Sequence, residues 1–339
     1  MRPWTFYQHW LDAVSRSFAL CIPQLDPPFR DHVGLAYLLF RVLDTIEDAP
    51  FAEQATQQRQ FERLRAFLRA MPTRPVVDAF VATFPTRITD AERALLGETY
   101  ALLEDGHALP AVARAAMFRA LDRMLLGMAA YTRRPAPLRL VDGEDVSRYC
   151  CFVAGVVGEM LTDLWALARS AAPPSTPLAY HFGLFLQKVN ILKDQAEDEA
   201  AGRFLVPDRT ELIASLGRDA EGALAYLQAI PCGDRYRIFC AWSLMLGAAT
   251  IAQLEQPRQS RRAESAQLLA RTAAIVDDND GLARLLGELM PVLPGEADRA
   301  PLGKPESFEW FRRTLAAPLT DAELRRLGVV SVRASARVP

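Results

Sequence analysis

Asp44-Thr45-Ile46-Glu47-Asp48 and Asp194-Gln195-Ala196-Glu197-Asp198 share one pattern, D-x-x-E-D. Each copy closes a long apolar run, AYLLFRVL before the first and FGLFLQKVNIL before the second. Aspartates four apart lie on one face of a helix, about 6 Å apart along its axis. Like charges so placed weaken a helix by roughly a few tenths of a kcal/mol. One such motif reads most simply as a solvated helix end. Two copies, each ending an apolar helix, point to a cation held between carboxylates and a substrate diphosphate. Mg²⁺ suits that arrangement, because it takes one or two carboxylates together with phosphate oxygens and water. Glu47 and Glu197 fall three residues after the first aspartate of each motif, where they face the same side or support the ligands from behind.

A diphosphate also needs cations, and basic residues recur beside both motifs. Arg41 precedes Asp44 by three residues, Lys193 adjoins Asp194, Arg203 follows in the next loop, and Arg16 stands in Ser15-Arg16-Ser17-Phe18. The planar guanidinium donates two parallel hydrogen bonds to phosphate. Gln187 and Asn190 are polar positions in the apolar run before Asp194, so each is either structural or turned towards the same site. The run Tyr149-Cys150-Cys151-Phe152-Val153-Ala154-Gly155-Val156-Val157-Gly158 puts small residues in an apolar helix. Two readings stay open there: close helix packing, or a helix thinned to admit a long apolar ligand, with Tyr149 offering a hydroxyl and a π face to a carbocation. His9, His32, His107 and His181 show no ligand spacing, and no Ser-His-Asp set, Walker loop or G-x-G-x-x-G is present.

Helical periodicity dominates the elements that must carry these groups. The expected helices are Pro3–Cys21, Pro28–Asp48, Glu53–Ala70, Asp90–Asp105, Ala111–Arg133, Gly143–Ala171 and Leu178–Glu199. A short pair between Asp208 and Ala229 and a helix Arg235–Glu255 follow, then less regular helices to about Arg326. Asp90 is the expected N-cap of its helix, without a capping box because Arg93 stands at the third position. No low-complexity linker divides the chain, so residues 1–330 read as one domain and 331–339 as a frayed tail. With 339 residues, half of them hydrophobic, the chain can bury a large core, and a net charge of −2 gives no nucleic-acid footprint. Five cysteines without C-x-x-C spacing favour reduced thiols and a cytoplasmic setting. The apolar run Ile238–Leu254 carries Ser243, Gly247, Thr250 and Gln253 and reads as a buried helix. The closing VVSVRASARVP contains no hydrophobic anchor, and contact with a membrane surface stays open.

Taken together, these residues resemble the squalene/phytoene synthase family over roughly Tyr7 to Leu254. The resemblance rests on SRSF at 15–18, LFRVLDTIED at 39–48, YCCFVAGVVG at 149–158, LFLQKVNILKDQAED at 184–198, and Gly202-Arg203 followed by Pro207. D-T-x-E-D in the first motif and LFLQK-x-NI before the second favour its squalene branch. The resemblance implies an all-α class I isoprenoid synthase fold around a central cavity. It also implies head-to-head condensation of two farnesyl diphosphates through presqualene diphosphate, with NADPH reduction to squalene. Asp44, Asp48, Asp194 and Asp198 would then hold Mg²⁺. Arg16, Ser17, Phe18, Gln187 and Arg203 would contact substrate, while Arg41, Asn190 and Lys193 would serve the cofactors. Tyr149 would assist proton transfer and steady the cations. Peripheral membrane contact would serve product release.

Several positions depart from the family pattern. Lys193 stands where arginine is usual, and His9 where a lysine is common. FCAWSLMLGAAT at 239–250 has Ser243 and Leu246 in the proline and methionine places of A-x-P-x-x-M-A, a helix associated with NADPH. The loop reads EAAGRFLVP rather than a Gly-Gly-Arg and Trp-Pro version. All of these bear on the reductive step rather than the condensation. The alternatives are a presqualene diphosphate or dehydrosqualene synthase that omits reduction, and a helical binding protein without catalysis.

Overall fold

The structure is a computed structural model that describes residues 1–15, 17–255 and 261–290. Of the less regular helices expected between Glu255 and about Arg326, two are seen, at Arg261–Ala274 and Asn279–Leu289, while the stretch from residue 291, the tail 331–339 and Arg16 lie outside the described residues. In chain order the helices begin with α1 (Trp4–Val14), α2 (Phe18–Cys21), α3 (Phe29–Asp48), α4 (Gln54–Arg69), α5 (Arg74–Val81), α6 (Asp90–Gly97), α7 (Thr99–His107) and α8 (Ala111–Thr132). After β1 (Leu138–Arg139) come α9 (Gly143–Cys150), a π-helical turn (Cys151–Gly155), α10 (Val156–Arg169), α11 (Thr176–Lys193) and α12 (Gln195–Ala200). Beyond β2 (Arg203–Phe204) lie α13 (Arg209–Ala229), α14 (Arg235–Glu255), α15 (Arg261–Ala274) and α16 (Asn279–Leu289). The expected all-α class holds. The strands among the described residues are two residues each, paired in parallel with Leu138 opposite Arg203 and Arg139 opposite Phe204.

α11 forms the middle of the bundle, packed on α10, α13 and α14. Two glycines allow its approach to the preceding helix. A Cβ on Gly158 would stand 2.2 Å from the Ala179 carbonyl oxygen, and one on Gly183 would stand 2.5 Å from that of Ala154. Neither backbone atom can move aside, so close packing is a real part of what the small residues do. On its opposite side α11 is tied to α13 by a buried cluster. Lys188 Nζ lies 2.6 Å from Asp219 Oδ2 and 3.0 Å from Ser215 Oγ, and His181 Nδ1 lies 2.8 Å from Asp219 Oδ1. Burial alone would raise the Asp219 carboxyl, yet Lys188 and His181 outweigh it and hold it below the usual carboxylate range.

The boundaries depart from expectation where side chains compete for the backbone. The first helix stops at Val14, because Ser15 is extended (φ −138°, ψ 138°) and its Oγ accepts from Phe18 N at 3.1 Å, starting α2. Thr89, not Asp90, caps α6, with a full capping box in which Glu92 N donates to Thr89 Oγ1 and Thr89 N to Glu92 Oε2. Asp90–Asp105 is split at Glu98, and the short pair expected between Asp208 and Ala229 is one helix. The periodicity did not show α5 as a separate helix. The run Gly143–Arg169 and the helix Arg235–Leu254 are long and apolar enough to cross a membrane. Half or more of each apolar window is buried inside the bundle, in line with reading the second as a core helix.

Candidate active site

α3 and α11 carry the two acidic motifs to one end of the bundle. The first motif completes α3 without a break, with Asp44, Glu47 and Asp48 in its last two turns. The second does not continue its helix. α11 ends at Lys193, Asp194 is the junction (φ −100°, ψ 11°), and α12 carries Asp198, whose N–H donates to the Asp194 carbonyl at 2.9 Å. After α12 the chain turns at Gly202, whose φ of 78° is in the left-handed region that glycine enters without strain. That turn delivers Arg203 into β2, where pairing with β1 fixes its backbone.

Two chambers meet between these helices. The polar one, about 320 Å³, is lined by Arg41, Asp44, Glu47, Asp48, Asp194, Asp198 and Arg203, with Tyr149, Gln187, Asn190 and Lys193. The apolar one, about 190 Å³, runs between α3, α10, α11 and α14. Asp44, Val153, Gln187 and Asn190 line both, so the chambers join. Along α3 the apolar wall continues from Asp44 through Phe40 and Tyr37 to Val33, eleven residues or about 16 Å of helix. Phe18 lies in that apolar wall. Ser17 is exposed at the start of α2 and lines neither chamber. Ala154 and Gly158 line the apolar chamber as well as packing on α11, so both readings of the small-residue run hold. The π-helical turn there shifts the register of the wall, a feature frequent at functional sites.

Arg203 organises the polar chamber. Its Nη1 donates to Asp48 Oδ1 at 2.5 Å and its Nη2 to Tyr149 Oη at 3.1 Å, while Glu47 Oε1 stands 3.9 Å and Asp198 Oδ1 3.5 Å away. Tyr149 Oη in turn donates to Glu47 Oε1 at 3.1 Å. On α3, Arg41 sits between Asp44 at 3.3 Å and Glu92 at 3.4 Å. Lys193 Nζ pairs with Asp194 at 3.0 Å. Arg41 Nε and Arg203 Nε are buried and make no hydrogen bond, which suits guanidinium groups that receive acceptor oxygens from a substrate.

Burial dominates the titration of the chamber. It raises the Asp44 carboxyl to about 6 against the pull of Arg41. It raises Glu47 to about 7 against Arg203, with Asp48 and Asp44 adding to the rise. Asp198 is raised for the same reason. The Tyr149 hydroxyl is pushed well above its ordinary value by burial and then by Glu47, so it keeps its proton at neutral pH. Burial disfavours the Arg203 charge, but Tyr149, Glu47, Asp48 and Asp198 outweigh it and raise its pKa.

Among the described residues no three Asp, Glu, His or Cys side chains form a ready-made metal cage. The donor set nonetheless suits Mg²⁺: hard carboxylate oxygens from two elements across a chamber, each aspartate held by an arginine or lysine whose pairing a metal would replace, beside the Arg41 Nε that makes no hydrogen bond. Such a site binds the ion together with phosphate oxygens. Sequence reasoning missed Tyr37, Glu92 and Tyr131. Tyr37 had a signal, seven residues before Asp44 and so on the same face. Glu92 and Tyr131 reach the site only through tertiary packing, which no local pattern encodes.

An all-α bundle whose apolar chamber opens between two aspartate motifs defines a class I isoprenoid synthase type of site. The squalene/phytoene synthase family model matches residues 11–213, and the chain belongs to that family. Among curated relatives, the squalene synthase of Eremothecium gossypii is 34% identical over 203 residues, 58% of this chain and 44% of the relative. That of Ganoderma lucidum is 32% identical over 230 residues, 65% of this chain and 45% of the relative. The matching stretch therefore spans less than half the length of these relatives. Among solved structures, TcSQS in complex with the ligand E5700 superposes with a TM-score of 0.69 at 22% identity, covering 92% of this chain and 96% of that one. A dehydrosqualene synthase complex gives 0.54 at 20% identity, covering 80% and 96%. At those identities the structural likeness establishes the fold.

Proposed function

We propose that the protein condenses two farnesyl diphosphates head to head, through presqualene diphosphate, and completes the reaction to squalene with NADPH. The observation that carries this reading is the junction of the two chambers. An apolar channel for prenyl chains opens onto carboxylates and arginines suited to diphosphate and metal. Asp44, Asp48, Asp194 and Asp198 would hold Mg²⁺, which when bound neutralises the departing diphosphate. Arg41, Arg203 and Lys193 bind diphosphate oxygens, and Asn190 and Gln187 orient the substrate where head meets tail. Tyr149, kept protonated and pinned between Glu47 and Arg203, holds a hydroxyl and a π face beside the allylic cation and takes the proton lost when the cyclopropane forms as its own moves to Glu47 Oε1. The apolar wall excludes water that would quench the cation to an alcohol. Arg16, two residues before the wall residue Phe18, is proposed as a further diphosphate contact.

A second reading is a synthase that stops short of reduction, and one observation favours it. Ser243, at the position that departs from the reductive motif, is buried and donates its hydroxyl proton within its own helix, to Phe239 O, 2.9 Å away. NADPH, when bound, would supply the hydride. The reading also carries a place in the cell: cytoplasmic, with an apolar product that leaves into a membrane. Substituting Asp44→Asn and Asp194→Asn tests for catalysis itself. Each should abolish diphosphate release from farnesyl diphosphate while leaving the helical signal intact. Unchanged release in both variants would reject the assignment.

A further inference from the structure

Arg134 and Asp145 form a buried ion pair, 3% and 5% exposed, that the proposed chemistry does not use. Such pairs rarely stabilise a fold more than a well-packed apolar pair of the same size would, so stability alone does not account for it. The Asp145 carboxylate collects four donors. Arg134 Nη1 and Nη2 approach at 2.6 and 2.7 Å, Tyr131 Oη at 3.0 Å, and Val141 N at 3.2 Å.

Two limbs lead from this pair to the reacting groups. On one, the Tyr131 ring, fixed by its hydroxyl to Asp145 and covered by the Arg134 guanidinium at 4.1 Å, meets the Tyr149 ring edge to face at 5.1 Å. On the other, Arg134 Nη1 holds the Arg139 carbonyl at 3.2 Å. Arg139 pairs with Phe204 across β1 and β2 and lays its guanidinium 3.7 Å over the Phe204 ring. Phe204 is the neighbour of Arg203. One buried carboxylate thus underlies both the ring position of Tyr149 and the backbone position of Arg203.

We propose that the Arg134–Asp145 pair is the positioning element of the active chamber, setting Tyr149 through Tyr131 and Arg203 through Arg139 by two separable limbs. The inference rests on the roles proposed above for Tyr149 and Arg203. Misplacing a reacting group by a fraction of its contact distance lowers rate without changing what the site binds, whereas misplacing an anion contact weakens binding.

The test uses the full chain and two readouts: kcat for diphosphate release from farnesyl diphosphate, and calorimetric affinity for inorganic pyrophosphate with Mg²⁺. Tyr131→Leu should lower kcat about 10- to 100-fold and leave pyrophosphate affinity within about twofold. Tyr131→Phe, which keeps the ring but loses the hydroxyl bond to Asp145, should retain much of that kcat loss. Arg134→Lys, which keeps a cation beside Asp145 but loses the fork that also holds the Arg139 carbonyl, should weaken pyrophosphate about tenfold. Asp145→Asn should do both, and the Tyr131 and Arg134 variants decide the matter even where it folds poorly. Wild-type kcat in Tyr131→Phe, or wild-type pyrophosphate affinity in Arg134→Lys, would overturn the proposal. A wild type that binds pyrophosphate but does not consume farnesyl diphosphate would reject the farnesyl reading instead, and the Arg134 arm would still judge the positioning claim.

Discussion

Replacing Arg203 with methionine keeps most of the apolar stem and removes the fork that joins both acidic motifs to Tyr149. The bond to Asp48 is worth at most about 1 kcal/mol, because Asp48 is 51% exposed. The bond to the buried Tyr149 hydroxyl adds about 1.5–3 kcal/mol. Repulsion among the remaining carboxylates is limited, because Glu47, already raised to about 7, rises further without Arg203 and takes up a proton at neutral pH. The metal-free Arg203→Met fold should therefore lose only about 1.5–4 kcal/mol. Turnover should fall much further, by about 10²- to 10³-fold, since a preorganised donor to the developing diphosphate charge is gone. Arg203→Lys keeps the charge and loses the fork, so its loss should be intermediate. Initial rates of diphosphate release and thermal unfolding without metal measure the two effects. An Arg203→Met enzyme within about threefold of wild-type kcat/KM would refute the reasoning.

The folded carboxyls of Asp44 and Glu47 stand near 6 and 7, above their ordinary values. The folded chain thus holds protons that the unfolded chain has released between about pH 4.5 and 7. From these two groups the metal-free fold loses stability as pH rises through that window, so Mg²⁺ should raise the unfolding temperature more at about pH 8 than at about pH 5.5. A larger shift in acid would contradict the site. Gly158→Ala drives a methyl to 2.2 Å from the Ala179 carbonyl oxygen and should lower stability in urea by about 1–3 kcal/mol or more. An unchanged midpoint would show that α10 and α11 are not so closely packed. Lys188→Met leaves the buried Asp219 with His181 but without its ammonium partner, and should lower stability by about 3 kcal/mol at neutral pH. Because the Asp219 carboxyl is held low in the fold, its contribution is present above the ordinary carboxylate range and lost below it. The Lys188→Met deficit should accordingly shrink as pH falls, as denaturation at about pH 7 and pH 4 would reveal.

Much of the site was legible because its residues lie on regular helices. Arg41, Asp44 and Asp48 share a face by spacing, as do Gln187 and Asn190, and the structure brings all five to one chamber. Asp194 shows the limit. The spacing placed it inside a helix ending at Glu199, whereas it forms the break between α11 and α12. Arg203 was recognised by its place after the motif, but what aims it, a two-residue strand pairing with Leu138 and Arg139, has no sequence pattern of its own. Thr89 was overlooked as a cap because Asp90 beside it is also a capping type, although Thr89 with Glu92 three residues on carries the capping-box pattern that Asp90 with Arg93 lacks. Ser17 belonged to a recognisable motif yet faces solvent, at the start of α2 beyond the break at Ser15.

The central claim is met most directly by product analysis of the purified chain with farnesyl diphosphate and Mg²⁺, with and without NADPH. Squalene formed only when NADPH is present is the expected result. Presqualene diphosphate or dehydrosqualene in both reactions would uphold the condensation and remove the reductive step. Farnesyl diphosphate left unconsumed in both would contradict the account.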